Sequence, residues 1–506
     1  MPESAPAETP SAPAETPRRV PTFAQALTPV VVMIALLVTG TVVLDLAPVI
    51  LLIVASTFAG AFALWLGVSW EEMLTGIRRK IDSTMPALLI LISIGMLTGT
   101  WMISGTIPMI VDFGLRVIAP DWIVVVSFLV TVVVSTLTGT SWGSVGTVGV
   151  ALISVAGGLG ASLPMTAGAI VAGAYFGDKM SPLSDTTNLA PVVAGANLFA
   201  HIRHLLYTTV PAALVSLVLY FLLGLTQHPS STAGTNKDTE ELLDFLGKAF
   251  TFSPLLFLPP LVVLVGAVLR KPPLPTIILS SVVAAVLGGV VQGFSLSDLS
   301  TAASDGFSVD MLAAHGFDAH SIPAAAQTLL NRGGLASMTS VVLIGLAGFA
   351  FAGIITEAGC MDVLMARLLK RVRRTGGIVL ATVGSSIGVA LATGTSYLTI
   401  LIPGEGFKEV YARHGLEPKN LSRTLEDSGT VMVPLVPWSE AGMYMSTTLG
   451  VATLSYAPYA FLCYLGAVFA VICGYTGFGI ARSAPARSRT ATGDPATDPA
   501  TGPATV

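Results

Sequence analysis

The chain has 506 residues, of which 53% are hydrophobic and only 11% are charged, and its formal net charge is −4. A soluble protein of this length would carry about a quarter charged residues, so the composition excludes a soluble globular protein. A nucleic-acid-binding protein is also excluded, because the sequence contains no basic stripe. Apolar runs of membrane-span length predict an all-α polytopic membrane protein instead. These runs include Pro29–Leu44, Pro48–Leu66, Met85–Ile103, Leu205–Leu225, Leu274–Val291 and Met338–Ile355.

The N-terminal region is predicted to be a disordered tail, residues 1–21, followed by two close-set membrane spans. The tail repeats its segment Ser4–Pro10 at once as Ser11–Pro17 and offers no apolar surface to bury. Arg18 and Arg19 precede the first apolar run, which predicts a cytoplasmic N-terminus. After the second span we expect an interfacial amphipathic helix over 70–83, and then one long third span over 85–117.

A polar interruption divides the next apolar region into two arms. Trp122–Leu137 and Val145–Ala156 flank Thr138–Trp142, which we call the first tip. We prefer a re-entrant hairpin that turns at Thr140 and Ser141, and two short crossings remain the alternative. A broken helix over 164–200 and a span over 205–225 complete a first membrane repeat, residues 22–226. Residues 227–251 are predicted to form an external loop.

A second copy of this pattern follows in residues 252–478 and predicts an internal repeat. Two close-set spans come first, and an insert over 294–334 that we expect to be external comes next. Thr393–Tyr397, which we call the second tip, then repeats the first tip almost letter for letter. Glu426–Leu435 matches Gly177–Leu183 in its acid, its hydroxyls and its Pro-Leu pair. A last span and a disordered tail, residues 479–506, close the chain.

The basic residues predict that the two repeats have opposite orientations in the membrane. In the first copy Arg78, Arg79 and Lys80 follow the second span, whereas in the second copy Arg270 and Lys271 precede it. The positive-inside rule therefore inverts one copy relative to the other and puts both termini in the cytoplasm. We expect about ten transmembrane helices, two re-entrant hairpins and two broken helices. Inverted repeats with discontinuous helices are typical of secondary transporters.

The polar residues at the tips and in the broken helices predict a cation site. Charges at membrane depth are expensive and usually functional, and hard cations prefer carboxylate, hydroxyl and carbonyl oxygens. Asp178 and Asp427, matched across the repeat, are the predicted Na⁺-binding carboxylates. The full set of predicted cation and proton ligands is Thr140, Ser141, Asp178, Ser181, Asp185, Thr186, Asn188, Thr395, Ser396, Asp427, Ser428 and Thr430.

Structural roles compete with these assignments. Asp185 could serve only as a helix N-cap, and the tips could be only tight turns. Lys179 is expected to be either a counter-ion to Asp178 or a participant in transport. A carboxylate in such a site accepts a proton or a cation, and competition between the two is the minimal device for antiport.

Two long segments resemble the sodium/proton antiporters of the NhaC type. The first is Gly173–Pro191, and the second is Leu421–Thr430 followed by Val433–Trp438. The resemblance covers roughly residues 25–478 and implies Na⁺ extrusion in exchange for protons. It also implies an elevator-like movement of the hairpins and broken helices. One departure is Ser439-Glu440 after Trp438, where the family leads us to expect an uncharged polar pair.

The sequence thus predicts a secondary transporter that exchanges Na⁺ for H⁺, not an enzyme, with no cofactor. The alternative is a Na⁺-coupled exchanger of organic anions, such as malate and lactate, whose carboxylate would need Lys179 or Arg423. The expected location is a bacterial-type inner membrane. The expected partners are Na⁺, H⁺ and membrane lipid, with a homodimer left open and nucleic acid excluded.

Overall fold

The structure is a computed structural model, and it describes residues 19–44, 46–182, 184–226, 235–269, 271–318, 322–369 and 374–483. Within these ranges the chain is helical, and the only β-structure is two isolated bridges. The predicted all-α class is therefore confirmed. The helices are α1 (Phe23–Val38), α2 (Pro48–Trp65), α3 (Trp70–Ile103), α4 (Thr106–Val117), α5 (Ile123–Thr138), α6 (Ser141–Ser144), α7 (Val150–Gly158), α8 (Leu163–Met180), α9 (Asp185–Ala194), α10 (Leu198–Thr226), α11 (Thr235–Ala249), α12 (Leu258–Val268), α13 (Pro273–Val290), α14 (Leu296–Ser304), α15 (Ala324–Leu330), α16 (Thr339–Glu357), α17 (Cys360–Leu369), α18 (Thr375–Thr393), α19 (Ser396–Arg413), α20 (Pro418–Ser428), α21 (Glu440–Leu449), α22 (Thr453–Tyr456) and α23 (Phe461–Thr476).

The helices of spanning length agree with the predicted multi-span protein. Eight helical segments in the described ranges are long and apolar enough to cross a membrane, or up to ten if each of two bent pairs is one span. The bent pairs are 240–249 with 254–266, and 453–459 with 461–476. The inverted orientation of the two repeats stays a prediction. The expected tails fall largely on residues 1–18 and 484–506, and the expected loop begins on residues 227–234, all of which lie outside the described ranges. The rest of the expected loop is described, and most of it forms helix α11 (Thr235–Ala249).

The predicted third span differs from the observed helices at both ends. The expected interfacial helix is continuous with the span, because α3 runs for 34 residues from its capping box at Ser69 and Glu72. The helix then ends at Ile103, and Gly105 adopts the left-handed conformation with φ of 83° before α4 begins. A residue with a side chain is strained at such an angle, so glycine fixes this boundary. The expected single span over 85–117 is therefore wrong.

Both tips have the same backbone conformation. The helix before each tip ends on a left-handed glycine, Gly139 with φ of 71° and Gly394 with φ of 63°. Thr140 and Thr395 follow in extended conformation, and a new helix begins at the next residue. The expectation of two short arms at the first tip is wrong, since 120–138 and 141–158 both reach spanning length. Whether the two arms form a re-entrant hairpin or two membrane crossings remains a prediction.

Helices α5 and α8 pack backbone to backbone through glycines. A Cβ on Gly177 would lie 2.3 Å from the main-chain nitrogen of Thr136, and one on Gly173 would lie 2.4 Å from the carbonyl oxygen of Phe128. The Ser135 hydroxyl donates a hydrogen bond across the same contact to the carbonyl oxygen of Ala174, at 2.5 Å. Small residues allow this close approach of membrane helices. The contact brings the end of α8 beside the first tip.

We expect Gly177→Ala to destabilise the protein by about 1–3 kcal/mol, because the added methyl meets backbone that has no room to move. The measurement is the thermal melting temperature of the purified protein in detergent. Gly384→Ala is the matched control, since nothing lies within 4 Å of a Cβ at that helical position. Alanine is the better helix former, so this control should melt at or above the wild-type temperature. A Gly177→Ala protein that melts no lower than wild type would contradict the packing argument.

Candidate functional site

The two tips and the two helix breaks line one cavity of about 980 Å³. Nine of the twelve predicted cation or proton ligands lie on its wall, and none of the described residues that line it is a Lys or Arg. Those nine are Thr140, Ser141, Asp178, Asp185, Thr186, Asn188, Thr395, Ser396 and Thr430. Three aromatic residues, Trp142, Tyr175 and Tyr397, and one further acid, Glu440, complete its polar and aromatic surface.

Asp178 is buried at the end of α8, two residues before that helix stops. The Ser141 hydroxyl of the first tip donates a 2.7 Å hydrogen bond to Asp178 Oδ2. The other carboxylate oxygen, Oδ1, is buried and has no hydrogen-bond partner among the described residues. A buried acceptor without a donor is costly unless a ligand or a proton satisfies it. This oxygen is therefore the strongest candidate cation or proton ligand in the cavity.

The start of α9 contributes Asp185, Thr186 and Asn188. Ser184 is the N-cap of this helix and accepts the Thr187 N–H at 3.4 Å. Asp185 instead accepts the N–H of Thr186 at 2.9 Å and the hydroxyl hydrogen of Tyr397 from the second tip. The proposal that Asp185 is only the N-cap is therefore wrong. The contact between Asp185 and Tyr397 joins the first break to the second tip.

Asn188 has a local structural contact in the first break. Its side-chain amide donates to the carbonyl oxygens of Pro182 at 2.9 Å and Ser184 at 2.6 Å. These bonds satisfy carbonyls that the interrupted helix leaves without partners. The amide oxygen is the atom of Asn188 that remains for a cation.

Lys179 pairs with Asp427, not with Asp178 as expected. Its ammonium forms an ion pair with Asp427 Oδ1, and the Thr208 hydroxyl of α10 donates to the same oxygen at 3.0 Å. Both charged side chains are buried. Gly466 of α23 faces the pair, since a Cβ there would lie 3.7 Å from Lys179 Nζ. The predicted partner of Lys179 is therefore corrected to Asp427, and the pair lies behind the cavity wall.

Three predicted ligands do not line the cavity: Ser181, Asp427 and Ser428. Ser181 and Ser428 are fully buried, and the Ser428 hydroxyl donates to the carbonyl oxygen of Thr424 at 2.6 Å. In contrast, Thr430 lines the cavity with a hydroxyl that has no partner in the part of the chain that the structure describes. The second break therefore contributes Thr430 rather than Asp427 to the cavity.

Two acids near the second break were not among the predicted ligands. Glu426 is fully buried and accepts a 3.3 Å hydrogen bond from the Thr186 hydroxyl. Glu440 lines the cavity, and its Oε1 accepts from the Thr395 hydroxyl at 2.9 Å and from the Ser396 N–H at 3.0 Å. The sequence did indicate Glu440, because Ser439-Glu440 follows Trp438 where an uncharged polar pair was expected. Tyr397 was a further omission, although it is the last residue of the second tip.

The arrangement suits a hard cation or a proton. Carboxylate and hydroxyl oxygens converge on the cavity from both halves of the chain, and hard cations prefer such oxygens. Among the described residues, no three His, Cys, Asp or Glu side chains group closely enough to hold a metal ion. A cation here would therefore draw on hydroxyl or main-chain oxygens as well as carboxylates.

Comparison with known proteins identifies relatives along most of the chain. The profile described as the Na⁺/H⁺ antiporter family matches residues 173–478. An uncharacterized Na⁺/H⁺ antiporter of Haemophilus influenzae is 44% identical over 464 residues, covering 92% of this chain and 98% of that protein. The Na⁺/H⁺ antiporter NhaC of Alkalihalophilus pseudofirmus is 37% identical, covering 89% and 95%. A malate-2H⁺/Na⁺-lactate antiporter of Bacillus subtilis is 32% identical, covering 91% and 96%.

Proposed function

Because the chain belongs to the Na⁺/H⁺ antiporter family, we propose that it exchanges Na⁺ for H⁺ across a bacterial inner membrane. Its relatives are antiporters and not enzymes. Cation and proton compete for the carboxylate of Asp178, with oxygens of the two tips as further ligands. A homodimer, specific lipid contacts and cytoplasmic termini remain predictions.

The observation that carries the proposal is the buried, unpartnered Oδ1 of Asp178 on the wall of a cavity that both tips share. A bare carboxylate at membrane depth is unfavourable, so the site crosses the membrane only when it is occupied. A proton and a cation each neutralise the carboxylate, and one excludes the other. This exclusion couples the two fluxes.

The charges around the cavity favour a cation over the organic anion of the alternative. Neither of the two cations proposed for a substrate carboxylate lines the cavity. Lys179 is paired with Asp427, and Arg423 is fully buried and donates to the carbonyl oxygen of Gly479 at 2.7 Å. An anion entering the cavity would meet Asp178, Asp185 and Glu440 instead. The B. subtilis relative named for malate and lactate keeps the alternative worth testing.

The test is transport by the purified full chain in liposomes that contain a pH-sensitive dye, with the membrane potential clamped. A Na⁺ pulse outside the vesicles should drive H⁺ out and alkalinise the lumen. Choline chloride serves as the control and should give no signal. Malate inside and lactate outside should leave the Na⁺ response unchanged. A lumen that responds only when these anions are present would establish the alternative and overturn Na⁺/H⁺ exchange.

A further inference from the structure

Glu440 stands where two helices begin. It is the first residue of α21, whose N-cap is Ser439, and it reaches the N-terminus of α19 through the Ser396 N–H. Its side chain is 8% exposed and lies on the cavity wall. Helix N-termini favour negative charge, so two of them stabilise one carboxylate here. Both hydrogen bonds from the second tip end on Oε1, and neither reaches Oε2.

Each tip donates a hydroxyl hydrogen to a carboxylate, although from different positions of the repeated motif. At the first tip the Ser141 hydroxyl donates to Asp178, and at the second tip the Thr395 hydroxyl donates to Glu440. Each hydroxyl gives its hydrogen to the acid and keeps its lone pairs for a cation. A hydroxyl and a carboxylate therefore face the cavity from each tip. The sequence match between the repeats points to Asp427 as the counterpart of Asp178, but Asp427 is neutralised by Lys179 away from the cavity.

The charged surroundings of Glu440 are mixed. Lys80 of α3 attracts it electrostatically and Asp185 repels it. Lys80 does not line the cavity, and its ammonium lies 5.7 Å from the centre of the Phe349 ring. Glu440 therefore interacts both with Lys80, which lies outside the cavity lining, and with the cavity itself. Two roles follow, a counter-charge for Lys80 or a ligand for a transported cation, and an experiment must separate them.

We propose that Glu440 is the second cation-binding carboxylate of the cavity, acting with Thr395 at the second tip. The proposal rests on the proposed Na⁺/H⁺ exchange and assigns Asp178 and Glu440, one at each tip, as its two acids. The unpartnered hydroxyl of Thr430 lines the cavity as a further oxygen ligand.

The experiment compares wild type with Glu440→Gln in the liposome assay and measures the Na⁺ concentration for half-maximal H⁺ flux. Glutamine keeps an oxygen for the Thr395 and Ser396 donors, so helix capping survives while the charge is lost. We expect the half-saturating Na⁺ concentration to rise at least tenfold. Glu409→Gln is the matched control on α19, because Glu409 is 77% exposed and pairs only with Arg413 among the described residues. The control should match wild type.

The double variant Lys80→Met/Glu440→Gln separates the two roles. If Glu440 served only to neutralise Lys80, removing both charges would restore the wild-type half-saturating concentration and overturn the proposal. If Glu440 binds the cation, the double variant stays at least tenfold weaker. It also supplies the measurement if Glu440→Gln alone does not fold, because it removes the Lys80 charge together with the Glu440 charge.

Na⁺-dependent thermal protection gives a second readout that does not require exchange. Na⁺ should raise the melting temperature of the wild-type protein, and the same protection should need at least tenfold more Na⁺ in Glu440→Gln. If Na⁺ protects the wild-type protein but the protein moves no protons, Na⁺/H⁺ exchange is contradicted. The role of Glu440 in Na⁺ binding is then still decided by comparing the melting temperatures of wild type and Glu440→Gln. Equal protection of wild type and Glu440→Gln at every Na⁺ concentration would overturn the assignment of Glu440.

Discussion

Asp178→Asn should reduce Na⁺-driven proton flux at least 100-fold while the protein remains folded. Asparagine presents an oxygen to the Ser141 hydroxyl in place of Oδ2, so the 2.7 Å hydrogen bond to the first tip is retained. The amide carries no charge and takes up no proton, so residue 178 can bind neither Na⁺ strongly nor H⁺. The measurement is the initial rate of lumen alkalinisation in liposomes after a Na⁺ pulse.

The control for this variant is Asp244→Asn on α11. Asp244 is 66% exposed and forms a surface pair with Lys248, so its charge is screened by water and its loss should change the flux less than twofold. Melting temperatures of both variants should lie within a few degrees of wild type. If Asp178→Asn shows the same Na⁺-driven proton flux as wild type, Asp178 is not a ligand in the transport mechanism.

The second large effect concerns the buried ion pair. Lys179→Met should destabilise the protein by about 3–5 kcal/mol, because it leaves the Asp427 carboxylate buried with the Thr208 hydroxyl and no counter-charge. The pair joins α8 to α20, and α10 contacts the same oxygen, so its loss loosens three helices at once. The measurement is the thermal melting temperature and the fraction of protein that elutes as a single species in detergent.

A double variant distinguishes the pair from its separate charges. Lys179→Met/Asp427→Asn removes both charges and should recover most of the stability that Lys179→Met loses, since buried pairs often contribute little beyond neutralising each other. It should also keep a half-saturating Na⁺ concentration within about threefold of wild type. Strongly weakened Na⁺ binding in this double variant would show that Asp427 binds the cation. It would contradict the assignment of Asp178 to cation binding and of Asp427 to the ion pair with Lys179.

The sequence carried enough information to locate the tips and the breaks. Gly139 and Gly394 end their helices because glycine tolerates the left-handed conformation, and both stand in the same repeated motif. Pro182 and its hydroxyl neighbours likewise predicted the interruption between α8 and α9, which the helix bounds reproduce. These features are local, so periodicity and residue type are sufficient to find them.

The partners of the charged residues could not be found in this way. Lys179 and Asp427 are 248 positions apart, and Tyr397 and Asp185 are 212 apart. Sequence proximity suggested Lys179 with Asp178, but adjacent helical residues point in different directions. Internal homology suggested Asp178 with Asp427, but repeats that match in sequence need not place their acids in the same surroundings. Only the tertiary contacts, such as the ion pair between Lys179 of α8 and Asp427 of α20, reveal which acids face the cavity.

The glycine contact between α5 and α8 has a mechanical consequence. At Gly173 and Gly177 the two helices meet through backbone atoms and the small side chains of Thr131 and Ser135, so no large side chain lies between them. Ser141 and Asp178 should therefore travel as one stiff unit during the transport cycle, with their separation unchanged. A disulfide that links α5 to α8 at positions away from Gly173 and Gly177, where side chains have room, should therefore leave turnover intact.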